Sequence, residues 1–129
     1  MKTNLTFVIA AVGTIFFVGC ASMETDNTKS LLSQAGFHSQ IPQTAKQKEE
    51  YAALPNNKIE HGTIKGKSFY VFKDEKAGAV YIGGEQEHRR YLQLCAQQHA
   101  AQVPEEDMSH PMANAWANQW GGARDATRR

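Results

Sequence analysis

Cys95 and His99 stand four residues apart, and His88 lies seven residues before Cys95. On a helix these offsets bring a thiol and two imidazoles to one face. Such donors suit zinc or a related ion. A structural zinc site needs a fourth ligand, and the sequence marks none. Tyr91 and Leu92 share that face, so a packed apolar face is the competing reading. Further along, "MSHPM" gathers Met108, His110 and Met112 in one short segment. Thioether and imidazole ligands suit Cu(I), although methionine is also a common core filler. Trp116 and Trp120, in "NAWANQWGG", are also four apart. They are candidate contact residues for a membrane interface, a partner groove or a glycan. Folding back onto the domain is the alternative.

Catalytic patterns are missing. The chain carries no Ser-His-Asp spacing, no H-E-x-x-H and no P-loop. The pairs Glu49-Glu50, Asp74-Glu75 and Glu105-Glu106 fall where solvated surface is expected. Gly83-Gly84 before a helix would suit an anion, but Glu85 and Glu87 would repel one. The sequence therefore predicts no enzyme, no cofactor and no committed metal site.

Cys20 carries a different chemistry. After Met1-Lys2, the run from Leu5 to Val18 is apolar apart from Thr6 and Thr14. That is the length of a signal-peptide core, and short of the roughly 20 residues a membrane span needs. Phe17-Val18-Gly19-Cys20 resembles the bacterial lipobox, with Phe17 where Leu is usual. The resemblance implies cleavage before Cys20, a signal peptide over residues 1–19, a thioether-linked diacylglycerol on the Cys20 thiol, and three acyl chains in all at that N-terminal residue. Two or more chains anchor stably where one does not. Ala21 and Ser22 follow, with no Asp; by resemblance to enteric-type sorting this favours the periplasmic face of the outer membrane. An uncleaved anchor, or a secretory signal with an incidental Cys, is the alternative.

Composition sets further bounds. The 129 residues carry a formal net charge of +1, which gives no electrostatic footprint for nucleic acid. The length allows one small domain. The chain has two cysteines. If Cys20 is lipidated, Cys95 has no partner within the chain and is expected to be buried.

The elements that would position these groups read as α+β. Residues 20–29 form a polar tether. A short helix follows, capped by Asn27 or Thr28 and stopped at Gly36. Thr44 and Gln47 have capping-box spacing for a second helix over 44–54. Residues 58–64 and 68–72 alternate around Lys65-Gly66-Lys67 as a hairpin, and 79–82 supplies a third strand. A long helix over 85–102 covers this three-stranded antiparallel sheet. The domain thus spans 30–103, and 104–129 reads as a disordered tail.

"LLSQAGF" (31–37), "LP" (54–55), "KSFYVFKD" (67–74) and "VYIGG" (80–84) occur in an order that resembles a group of small uncharacterised proteobacterial lipoproteins. The resemblance covers roughly residues 31–99. Members often carry a Cys-x-Cys pair before the third strand, where this chain has Ala77 and Ala79. It implies a lipidated envelope protein and brings over no catalytic residue. The expected function is a non-enzymatic, membrane-anchored module with an envelope protein partner. The alternative is a periplasmic lipoprotein that binds a metal or small ligand.

Overall fold

The Lys65-Gly66 turn sets the register of the sheet. Both residues are left-handed, with φ of 51° and 78°. That geometry matches the twist of paired strands. It joins β2 (Ile59–Ile64) to β3 (Lys67–Asp74), with Ile59 opposite Phe72 and Ile64 opposite Lys67. β4 (Ala79–Gly84) pairs antiparallel with the far side of β3. The remaining strands are β1 (His38–Gln40), antiparallel to β4, and β5 (Glu105–Asp107), parallel to β2. The sheet order is β1-β4-β3-β2-β5.

The structure, a computed structural model, describes residues 18–120, with side chains from Asp26 onward. The expected signal peptide lies almost wholly outside the described residues, and so does the Cys20 side chain. The helices are α1 (Val18–Ala35), α2 (Ala45–Ala53), α3 (Glu85–Gln97) and α4 (His110–Gln119).

Alternation along β3 divides the core in two. Phe69 and Val71 point to one face, with Val80 and Ile82 of β4, and pack under Leu54, Ala113, Trp116 and Trp120. Phe72 points to the other face, where it joins Ile59, Phe37, Leu31, Leu32, Ala35, Tyr91 and Cys95. α1 and α3 therefore cover one face, while α4 and the end of α2 cover the other. At Gly83 an added Cβ would lie 2.8 Å from the Phe37 ring, so only glycine lets the strand and that ring approach.

This architecture corrects the sequence reading. The class is α+β, but the sheet has five strands of mixed direction rather than three antiparallel ones, and four helices are present among the described residues. β1 and β5 have three residues each and no apolar alternation, so no local pattern marks them. α1 takes in residues 20–29, the expected tether. α3 stops at Gln97, not at 102: His99 turns left-handed (φ 51°) and the Ala100 N–H folds back onto the Cys95 carbonyl at 2.9 Å. The expected disordered tail contains β5 and α4 up to Trp120. Ser109 caps α4 by accepting from the Met112 N–H, with Pro111 in its first turn. Trp116 and Trp120 repay the ordering by full burial.

Candidate functional site

Polar chemistry collects where β2, β3, α3 and β5 meet. Pleating puts His61, Ser68 and Tyr70 on the α3 side of the sheet, and parallel pairing sets Asp107 beside His61. His61 Nδ1 is 2.9 Å from Asp107 Oδ1, and His61 Nε2 is 3.0 Å from Ser68 Oγ. The imidazole thus bridges a hydroxyl and a carboxylate. Its ring stacks on Tyr70 with centroids 4.8 Å apart, and Tyr70 stacks on His88 at 3.9 Å. His88 Nε2 in turn bonds Glu105. Burial, then the Glu105 charge, raises the Tyr70 phenol above its ordinary pKa.

The opposite side of the same strands holds a carboxyl pair. Glu60 is buried and sits in register with Glu106. Burial first, and the Glu106 charge second, push Glu60 up to about 7. Lys58 Nζ lies 3.8 Å from Glu106 Oε2 and opposes that rise.

An open cavity of about 260 Å³ adjoins His61 and Asp107, and its lining includes Thr63, Met108, His110 and Ala113. Met108 and His110 of the "MSHPM" segment therefore share one cavity, while Met112 packs against the Trp116 and Trp120 cluster. The other sequence candidates separate. His88 is committed to Tyr70 and Glu105. Cys95 is buried in the core, as its helical position implied. His99 lies beyond the last turn of α3 and is exposed. Among the described residues, no group of three or more His, Cys, Asp or Glu side chains is placed to hold a metal ion. The contact role expected of Trp116 and Trp120 requires exposure, and both side chains are fully buried.

Sequence reasoning missed His61, Ser68, Asp107 and the Glu60–Glu106 pair. One signal existed: alternation in the hairpin places His61 and Ser68 on one face. Nothing local announces Asp107, which is 46 positions from His61.

The chain matches no protein-family profile, no curated protein and no solved structure. No helix among the described residues is long and apolar enough to cross a membrane.

Proposed function

We propose that this chain is an envelope lipoprotein, acylated at Cys20 after cleavage between Gly19 and Cys20, whose α+β domain is a non-enzymatic module for a protein partner. The motif order over residues 31–99 supports kinship with small proteobacterial lipoproteins, and Ala21-Ser22 favours the periplasmic face of the outer membrane. The observation that carries the reading is the apolar run that ends at Phe17-Val18-Gly19-Cys20. α1 sets how close such an anchor would hold the domain. It runs unbroken from Val18 to Ala35 and buries Leu31 and Leu32. The helix that contains Cys20 is thus also a core helix. At about 1.5 Å per residue, Cys20 and the buried Thr28 lie roughly 12 Å apart along its axis. A lipid on Cys20 would hold the domain close to the bilayer, with no slack linker between. In cells fed a clickable fatty acid, the wild type labels and Cys20→Ser does not. Equal labelling of both removes the anchor.

A second reading, a small-ligand or ester-cleaving site, is favoured by the Ser68–His61–Asp107 relay beside the cavity. Relay distances of 3.0 and 2.9 Å suit a base-activated hydroxyl. The Asp107 side chain is 86% exposed, so its orienting bond competes with water. A fluorophosphonate probe separates the two readings. Labelling of the wild type and not of Ser68→Ala establishes the nucleophile. No labelling of either leaves the relay as a cross-strand hydrogen-bond network.

A further inference from the structure

α1 gives the domain a direction. Its C-terminal end lies against the start of α3: a Cβ at Gly36 would stand 3.4 Å from Glu87 and 3.5 Å from Arg90. The next residue, Phe37, packs on Gly83 near the end of β4. Earlier in α1, Lys29 reaches Asp74 at the last residue of β3, beside the turn that opens β4. α1 therefore runs alongside β4 in the same direction. Its N-terminal half projects past the β3–β4 turn, away from the Lys65-Gly66 hairpin.

Other features gather at that end of the sheet. β1 is antiparallel to β4 with Gln40 opposite Val80, so Ile41 follows at the level of the β3–β4 turn. At 64% exposure, Ile41 stands out among the large apolar side chains of the described residues. α2 packs here too: the Tyr51 hydroxyl donates to the Asp74 carbonyl at 3.1 Å, and the Lys73 ammonium lies 4.7 Å from the Tyr51 ring centroid. Exposed charges of both signs are present, among them Lys46, Lys48 and Glu49 of α2 and Glu75 of the turn.

We propose that the domain seats this end, with Ile41 and the 75–78 turn, on the phospholipid surface that holds the Cys20 lipid, and points the Lys65-Gly66 hairpin away from it. The proposal rests on acylation at Cys20. α1 does the aiming, because the helix that carries the lipid is also packed into the core through Leu31, Leu32 and Ala35. Charge does not aim the domain, since lysines and carboxylates are interspersed at this end.

The lengths agree. From Cys20 to Lys29 the helix rises about 13 Å. The polar layer of one leaflet takes up about 5–7 Å of that. With α1 upright, the remaining gap of about 6–8 Å is no more than a Debye length at physiological salt. A tilt of α1 toward Ile41 shortens it. Ile41 is then the apolar side chain that meets the interface, which accounts for its exposure. Thr63, opposite Ser68 and close to the hairpin, places its side of the cavity toward the aqueous phase.

Energy transfer to the bilayer surface tests the seating. The acylated full-length protein is reconstituted in phosphatidylethanolamine–phosphatidylglycerol vesicles that carry a headgroup-labelled acceptor lipid. A donor dye is placed in turn at Ile41→Cys, Lys76→Cys and Lys67→Cys, while Cys95 is buried. β3 spans about 23 Å from Lys67 to Asp74. The closest approach to the acceptors should therefore be shorter from positions 41 and 76 than from 67 by more than about 10 Å. The contrast should persist in vesicles without the anionic lipid. Asn27→Pro breaks α1 between Cys20 and its buried part and should abolish the contrast. The comparison of the three labelled positions stands by itself should that variant misfold. Equal distances at the three positions, a contrast that needs the anionic lipid, or one that survives Asn27→Pro overturns the proposal. The intact mass of each sample reports acylation separately. An unmodified Cys20 overturns the anchor and the seating with it, whereas equal distances in acylated protein overturn the seating alone.

Discussion

The indoles of Trp116 and Trp120 stack with centroids 4.6 Å apart and planes 13° from parallel, one helical turn apart on α4. Their polar ends differ. Trp120 Nε1 donates to Glu50 Oε2 of α2 at 2.8 Å, while the Trp116 N–H meets no acceptor among the described residues. One bond ties α4 to α2, and the other ring serves by packing alone.

That difference predicts an asymmetry. Trp120→Phe leaves the Glu50 carboxylate, partly buried and raised above its ordinary pKa by that burial, without its donor. Trp116→Phe gives up no hydrogen bond. In thermal melts Trp120→Phe should lose more, by about 1–2 kcal/mol, as expected for a stranded buried acceptor. Equal losses would mean that the Glu50 bond contributes nothing.

Truncation after Gln102 should unfold the domain. It removes β5, α4 and both buried indoles, and loss of a buried Trp side chain alone costs about 3–5 kcal/mol. Small domains have only about 5–15 kcal/mol in hand. A truncated chain with wild-type circular dichroism and melting would show that residues 105–120 lie outside the cooperative core.

Lys29 of α1 reaches Asp74 Oδ2 at 3.0 Å, and the Asp74 side chain is fully buried at the end of β3. The hydrogen bond and charge of Asp74 outweigh burial and raise the Lys29 pKa. Lys29→Ala should destabilise by roughly 3 kcal/mol, because it strands a buried carboxylate. Adding Asp74→Asn should recover part of that loss. If the single variant melts like wild type, the pair does not hold α1 to the sheet.

Glu60 gives the chain a pH dependence with a definite sign. Burial and Glu106 raise its folded pKa to about 7, above the usual carboxylate value. The folded state therefore holds the proton more tightly than the unfolded state. The associated stability is fully present below the usual carboxylate range and is lost as pH rises through about 7. Between about pH 5.5 and about pH 8.5 the wild-type melting temperature should fall more than that of Glu60→Gln. Parallel profiles would remove Glu60 as the cause.

Legibility in the sequence followed distance along the chain. The hairpin could be read because β-branched and aromatic residues flank Lys65-Gly66. α2 could be read because Thr44 and Gln47 form a local box, found intact in the structure. β1 and β5 could not, since three polar residues acquire a strand only through a neighbour elsewhere in the chain. The tail looked disordered because the residues that order it, Leu54, Phe69 and Ile82, are distant in sequence. The His88–Cys95–His99 face was misjudged on a local detail: His99 sits past the end of α3, which comes before the Pro104 stop that was expected. His61, Ser68 and Asp107 meet only through the sheet register, which no short motif encodes.

The most direct measurement of the central claim is the mass of the protein extracted from membranes, with fragmentation of its first peptide. The account predicts a chain that begins at Cys20 and carries a diacylglyceryl thioether and an amide-linked acyl chain on that residue. A chain that retains residues 1–19, or one that begins elsewhere with an unmodified Cys20, would contradict it.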